Sequence, residues 1–256
     1  MKIENKIILI TGGASGLGEH MAKYFHELKA IVYICDLQQE KGEKIEKETN
    51  KEIRFIKCDV TKEDEVKSMI AQIKKEKDRL DILINSAGIL WTEDTANEKE
   101  THSLEAFEKV WKINTYGAFN VSKHAAKLMI DNANPEGGSD NGLIILVSSV
   151  SGIEGRMGKL AYSMSKAALI GMTLPMARDL GKWRIRVNTI APLMIETPMT
   201  ADWKFSEVGK KLMDCIPLKR FGKTRHVSEV VELLIKNDYM NGETIRIDGG
   251  GRLGHF

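Results

Sequence analysis

Apolar runs of four to seven residues alternate with longer stretches of helical spacing, and this alternation constrains the fold of the 256-residue chain more than any other feature. The runs fall at residues 6–11, 31–36, 53–59, 80–85, 143–148, 185–190 and 244–247. Most are nearly unbroken in apolar character, as strands covered on both faces are. Between them lie amphipathic stretches at 17–28, 62–75, 107–130 and 160–180. Strand alternating with helix builds βαβ units and a parallel sheet, and right-handed crossovers put helices on both faces. The expectation is an α/β chain, one doubly wound domain of Rossmann type over residues 1–256. An Asn/Gly/Pro-rich interruption at 132–142 reads as a surface loop. The irregular stretch 193–222 reads as a segment covering a substrate.

Charge and cysteine use narrow the function classes. A net charge of +2 is too small to imply a nucleic-acid groove or a membrane surface. The three cysteines, Cys35, Cys58 and Cys215, are scattered and form no CxxC pair. They read as reduced thiols, with Cys35 and Cys58 in the core, and not as a disulfide framework or zinc site. The histidines show no HExxH spacing, so no catalytic metal is expected. No apolar run approaches the roughly 18 residues that span a bilayer. The charged N-terminus has no secretory apolar stretch, and a cytoplasmic location is the default.

Thr11-Gly-Gly-Ala-Ser-Gly-Leu-Gly18 follows the first run and opens a helix. Glycines at 12, 16 and 18 permit a tight turn, and the helix N-terminus then presents N–H groups to a pyrophosphate. The turn lacks the Gly-Lys-Ser/Thr ending of a P-loop, which disfavours a nucleoside triphosphate. Asp36 closes the second run, near the expected distance of about 20 residues downstream. A carboxylate there accepts hydrogen bonds from ribose hydroxyls and repels a 2′-phosphate. No Arg or Lys occurs in the turn, so NAD is expected over NADP.

Tyr162-Ser-Met-Ser-Lys166 places a phenol and an ammonium on one helical face. A nearby cation favours the phenolate. Lowering the phenol pKa by roughly 3 units takes about 4 kcal/mol, expected from a close Lys together with the positive nicotinamide ring of the oxidised cofactor. Taken alone, the pair also reads as an ordinary surface contact. Ser149 follows the apolar run at 143–148, at the sheet edge where such folds bind ligands, and its hydroxyl can hold a substrate oxygen. Ser148 points the other way if the pleat persists.

Thr11–Gly18, Asp59-Val60, Asn85-Ser-Ala-Gly88, Asn114, Ser149, Tyr162–Lys166 and Asp248-Gly-Gly250 occur together and in this order. From end to end the chain resembles the short-chain dehydrogenase/reductase family. The resemblance implies a seven-stranded parallel sheet, a catalytic tetrad of Asn114, Ser149, Tyr162 and Lys166, and commonly a homotetramer. It implies that Gly12, Ser15, Gly16, Leu17, Gly18, Asp36 and Leu37 hold the adenosine and pyrophosphate. Asp59 and Val60 would flank the adenine, and Asn85, Ser86, Ala87 and Gly88 would line the cofactor. Pro192, Ile195 and Thr197 would meet its nicotinamide end, and Tyr162 and Lys166 would touch it as well. Asn114 would hold a water that links Lys166 to solvent. Two positions depart from the family pattern: Ser86 stands where a second Asn is common, and Leu193 follows Pro192 where Gly is usual.

The stretches 155–162, 171–180 and 241–248 are similar to the type-2 3-hydroxyacyl-CoA dehydrogenase branch of that family, as is the loop at 132–142. That likeness implies oxidation of 3-hydroxyacyl-CoA thioesters or some steroid alcohols, and admits a mitochondrial location. Other readings are reduction of 3-oxoacyl-ACP or another carbonyl, which normally uses NADPH, and a non-catalytic NAD-binding scaffold. Leu193, Met194, Ile195, Pro198, Met199, Trp203 and Phe205 suggest an apolar lid. Lys204, Lys210, Lys211, Lys219 and Arg220 read by default as a solvated face, with attraction of CoA phosphates as the alternative.

Overall fold

The structure, a computed structural model, describes residues 1–134, 140–203 and 206–253. All seven apolar runs form strands. The first six are β1 (Ile7–Thr11), β2 (Ile31–Asp36), β3 (Ile53–Lys57), β4 (Ile82–Asn85), β5 (Gly142–Val147) and β6 (Ile185–Pro192). A small separate ribbon pairs β7 (Ile195–Glu196) with β8 (Gly222–Lys223), and β9 (Thr244–Ile247) completes the main sheet. The main sheet has seven strands, all parallel, in the order β3-β2-β1-β4-β5-β6-β9. The chain thus crosses outward in one direction from β1 and in the other from β4. The crevice where those directions part lies at the C-terminal ends of β1 and β4, where Thr11 pairs with Asn85.

Strand ends differ from the sequence runs for local reasons. The third strand stops at Lys57 because the Asp59 N–H turns to the Glu65 carboxylate at 2.8 Å. The fourth starts at Ile82 because the preceding Asp81 carboxylate accepts from the Ile7 N–H at 2.8 Å. The sixth runs on to Pro192 because it continues to pair with β9.

The helices are α1 (Gly16–Glu27), α2 (Gln39–Glu48), α3 (Glu63–Lys77), α4 (Leu104–Trp111), α5 (Ala118–Asp131), α6 (Leu160–Gly181), α7 (Glu207–Asp214) and α8 (Thr224–Lys236). Alternate strand residues feed two cores. Ile8 and Ile10 pack with Met21 and Phe25 of α1 and Val227 and Val231 of α8. Leu9 packs on the opposite face with Val66 and Met69 of α3 and Val121 and Ala125 of α5. Each such buried side chain contributes about 1.5–3 kcal/mol. Among the described residues, no helix is long and apolar enough to cross a membrane, and no group of three or more His, Cys, Asp or Glu could hold a metal ion.

The stretch 107–130 departs from the single helix that its spacing predicts. A π-helical turn, Lys112–Gly117, joins α4 to α5 and carries Asn114. Such turns re-aim a side chain within an otherwise regular helix and concentrate at functional sites. The expected loop at 132–142 falls partly on 135–139, and the expected lid and basic face include Lys204 and Phe205; these residues lie outside those described.

Candidate active site

A cleft of about 400 Å³ opens over the C-terminal ends of the strands. Its walls gather residues that are far apart in sequence. Gly12, Ser15, Gly16 and Leu17 come from the first turn, Asp36 and Leu37 from the end of β2, and Asp59 and Val60 from beyond β3. Ser86, Ala87 and Gly88 follow β4, and Ser149, Tyr162, Lys166, Pro192, Ile195 and Thr197 complete the far end. Among the described residues lining it, Lys166 is the one cation.

The glycine turn is shaped by close approach. Gly12 has φ +65°, and a Cβ there would lie 2.8 Å from the Ala87 Cα. Gly18 does not line the cleft. A Cβ on it would come 2.2 Å from the Gly12 carbonyl oxygen, so it lets α1 pack against the turn. Ser15 is the N-cap of α1, and its side chain caps none of the helix N–H groups. Those donors face the cleft beside the positive end of the helix dipole, a cradle suited to phosphate oxygens. The Asp36 carboxylate braces the turn by accepting from the Ala14 N–H at 3.1 Å and the Gln38 N–H at 3.0 Å.

Asn85 is buried at the end of β4 and donates to the Ser122 hydroxyl at 2.9 Å, while its Oδ1 has no partner. It supports the wall from behind. Ser86, at a departure from the family pattern, keeps its N–H on the Thr11 hydroxyl at 3.1 Å, and the Ala87 N–H shares the same acceptor. The other departure, Leu193, is accommodated. Its N–H donates to the Ile247 carbonyl at 3.0 Å and prolongs the β6–β9 ladder. Its side chain fills the space that a Cβ on Gly251 would need.

At the opposite end, Ser149 and Tyr162 line the same wall, and the Ser149 hydroxyl donates to the Pro192 carbonyl at 3.4 Å. Ser149 Oγ also accepts from the Ser151 N–H at 3.1 Å. Ser148 points to the α6 backbone instead, donating to the Lys166 carbonyl at 2.7 Å. Lys166 Nζ donates to the Val147 carbonyl at 2.8 Å and lies 5.7 Å from the centre of the Tyr162 ring. Asn114 is fully buried; its Oδ1 accepts from the Ile89 N–H at 2.8 Å and its Nδ2 donates to the Ser165 hydroxyl at 3.0 Å. A Cβ on Gly88 would sit 3.2 Å from that Oδ1 and 3.4 Å from Lys166 Nζ, which puts all three groups in one corner.

Of the two positive charges expected to favour the phenolate, the Lys166 ammonium is not seen acting on the phenol. Burial pushes the Tyr162 phenol above its ordinary pKa, with the nearby Ser149 hydroxyl acting the other way. Burial also pulls Lys166 down to about 8. With the ammonium turned to the Val147 carbonyl, it does not by itself make the phenol acidic in this geometry. Desolvation wins, and additional positive charge is needed before the phenolate is favoured.

Several contributors escaped the sequence reading. Asn120 is fully buried and donates to the Val60 carbonyl at 2.9 Å, fixing that wall of the cleft. A polar residue inside an amphipathic helix carries no signal of that role. Cys35 and Cys58 line the cleft as well as the core. The stretch 193–222 has a small core of its own, with Met194, Leu212, Ile216 and Phe221 packed together and Trp203 against them. Of the expected apolar lid, Leu193, Ile195, Pro198 and Met199 line the cleft, while Met194 and Trp203 pack in that small core. Lys159, just before α6, lies over the Trp203 ring at 5.1 Å and donates to the Thr92 hydroxyl, tying this segment down. Lys210 pairs with Glu207 at 2.8 Å and Lys219 with the Asp214 carbonyl at 2.9 Å, as on a solvated face.

Known proteins are similar to this chain over nearly its whole length. A family model described as enoyl-(acyl carrier protein) reductase matches residues 12–251. A 3-hydroxyacyl-CoA dehydrogenase type-2 of Drosophila melanogaster is 40% identical over 254 residues, covering 98% of this chain and 99% of its own. The protein of that name from Homo sapiens is 38% identical, covering 98% and 97%. A 3-oxoacyl-(acyl-carrier-protein) reductase FabG of Thermotoga maritima is 36% identical, covering 98% and 99%. The crystal structure of a 3-hydroxyacyl-CoA dehydrogenase type-2 from Mycobacterium avium superposes with a TM-score of 0.89 at 31% identity, covering 98% and 97%. The chain belongs to the short-chain dehydrogenase/reductase family and is an NAD(P)-dependent oxidoreductase acting on CH–OH groups.

Proposed function

We propose that the chain is an NAD-dependent 3-hydroxyacyl-CoA dehydrogenase. The observation that carries the reading is one continuous cleft with Asp36 at one end and Ser149, Tyr162 and Lys166 at the other. The uncapped N-terminus of α1 and the close turn at Gly12 fit a pyrophosphate between those ends. Asp36, with no Arg or Lys beside it among the described lining residues, favours an unmodified adenosine ribose and hence NAD. The thioester substrate rests on likeness to the dehydrogenases of Drosophila melanogaster and Homo sapiens.

In this reading Ser149 and Tyr162 hold the substrate hydroxyl. Tyr162 Oη takes its proton, and a dinucleotide held in the cleft would supply the hydride acceptor. Lys166 holds positive charge beside the phenol and orients the nicotinamide ribose. The proton leaves by way of Lys166 toward Asn114 and water. Pro198 and Met199 cover the acyl end, where a pliable Met suits varied chains. Oxidation needs the Tyr162 phenol deprotonated, and burial holds that phenol above its ordinary range. The kcat/KM of oxidation should therefore rise with pH from neutral to alkaline, and that of reduction should fall over the same range. A profile flat in both directions contradicts Tyr162 as the base.

The substrate test is NADH formation with 3-hydroxyacyl-CoA thioesters of increasing length, beside steroid and simple secondary alcohols. Thioesters should lead in kcat/KM by on the order of tenfold or more. Preference for a 3-oxoacyl-ACP with NADPH would favour the reading suggested by the Thermotoga maritima relative.

We expect the molecule to assemble as a homotetramer. Leu104, Trp111, Tyr116 and Phe119 leave a large apolar face exposed along α4, the π-helical turn and α5. Light scattering should give the mass of four chains. Phe119→Glu should lower it to two chains or one, and a wild-type mass of one chain contradicts the assembly.

A further inference from the structure

Lys159 is a cation outside the cleft, 4% exposed, at the N-cap position of α6 and three residues before Tyr162. A parallel bridge pairs it with Glu93, whose N–H donates to the Gly158 carbonyl at 2.9 Å. The loop after β4 thus runs against the start of α6 and fixes the backbone from which the lysine leaves. The ammonium donates to the Thr92 hydroxyl, approaches the Trp91 carbonyl at 3.5 Å and lies 5.1 Å from the centre of the Trp203 ring. Burial, and then the Arg156 guanidinium, pulls its pKa down to about 8, so it keeps its charge at neutral pH. Attraction between a cation and a ring face is strongest where water is excluded, as it is here. Trp203 ends a short 3-10 helix, Pro198–Trp203, whose first residues Pro198, Met199 and Thr200 line the cleft. That helix is tied at both ends. The Thr200 hydroxyl donates to the Ile195 carbonyl at 2.6 Å, and the Ser206 hydroxyl to the Trp203 carbonyl at 2.9 Å. At about 2 Å of rise per residue, the ring is held roughly 10 Å from the residues that face the cleft.

We propose that Lys159 is a positioning residue for the acyl end of the cleft: its ammonium, anchored by the loop after β4, grips the Trp203 ring and so sets where Pro198 and Met199 sit over the substrate. The acyl substrate rests on the dehydrogenase reading above; the grip on Trp203 does not. One side chain then references the covering helix to the start of the helix that carries Tyr162. Without the ammonium, Trp203 keeps its apolar packing on Met194, Leu212, Ile216 and Phe221 and loses its tie to α6. The covering helix becomes freer to move and holds the substrate less tightly. Gly12, Asp36 and Asp59, at the adenosine end, stand on other elements and are untouched. The signature is a rise in substrate KM with NADH affinity and kcat nearly unchanged.

The experiment compares the full-length wild type with Lys159→Met, Trp203→Leu, Trp203→Phe, and Lys159→Met combined with Trp203→Leu. Methionine keeps an unbranched apolar stem and removes the charge. Each protein is followed by hydrogen exchange of the peptides over 193–203, by NADH fluorescence titration, and by steady-state rates with the preferred 3-hydroxyacyl-CoA. Lys159→Met and Trp203→Leu should each speed exchange over 193–203 and raise substrate KM by about fivefold or more. NADH Kd should stay within about twofold and kcat within about threefold. The combined variant should be within about twofold of the worse single one, because both changes remove the same contact. Trp203→Phe keeps a ring face and should fall between the wild type and Trp203→Leu. Unchanged exchange and KM in Lys159→Met overturn the proposal, as do effects that multiply in the combined variant. So do a Trp203→Phe protein as impaired as Trp203→Leu, and NADH affinity that falls in step with KM. If Lys159→Met does not fold, the two Trp203 variants decide by the same readouts. A wild type that oxidises no 3-hydroxyacyl-CoA strikes at the thioester reading instead, and hydrogen exchange still decides the grip.

Discussion

Tyr162→Phe should lower kcat for oxidation by on the order of 10³-fold while NADH affinity stays within about twofold. Tyr162 lines the catalytic end of the cleft with Ser149, and the Lys166 ammonium lies 5.7 Å from the centre of its ring. Phenylalanine keeps the ring, its packing and its place on α6, and removes only the atom that carries the proton. Ser149 and Lys166 remain, so the loss reports proton transfer and not collapse of the site. Stopped-flow and steady-state rates, set beside an NADH titration of the same preparation, separate the two. Comparable loss of affinity and rate would place Tyr162 among the binding groups alone.

Asp36→Ala should lower the ratio of NAD to NADP efficiency by about 100-fold. Hydrogen bonds to a charged group contribute about 1.5–3 kcal/mol each, and the variant removes those to the ribose together with the repulsion of a 2′-phosphate. The carboxylate also accepts from Ala14 and Gln38, so efficiency with both cofactors is expected to fall. The ratio is therefore the informative quantity. An unchanged ratio means that the adenosine does not meet Asp36.

The sheet was legible because its strands are covered on both faces, so that each is a nearly continuous apolar run bounded by helix. The same property hid which residues open onto the crevice. Cys35 and Cys58 read as core, and nothing in an unbroken apolar run marks the end that faces a ligand. Ser149, Tyr162 and Lys166 were legible as a constellation, and the structure brings them to one corner with Asn114 and Gly88 beside them. Their electrostatics were not. Four residues of spacing say that a phenol and an ammonium share a helical face, but not that the ammonium turns to the Val147 carbonyl or that burial dominates the phenol. The π-helical turn around Asn114 was illegible for a related reason. One extra residue in a turn leaves the apolar pattern of α4 and α5 nearly unchanged. Asn120 and Thr11 act through backbone groups of Val60, Ser86 and Ala87, partners that only the folded chain supplies.

Catalysis depends on where the Tyr162 oxygen sits when both ligands are bound, and a crystal structure with NADH and a 3-oxoacyl-CoA measures this directly. The prediction is that Tyr162 Oη and Ser149 Oγ both lie within about 3 Å of the substrate 3-oxygen, with Lys166 Nζ on the nicotinamide ribose. A well-ordered ternary complex whose 3-oxygen is held by other groups, with the phenol turned away, would contradict it.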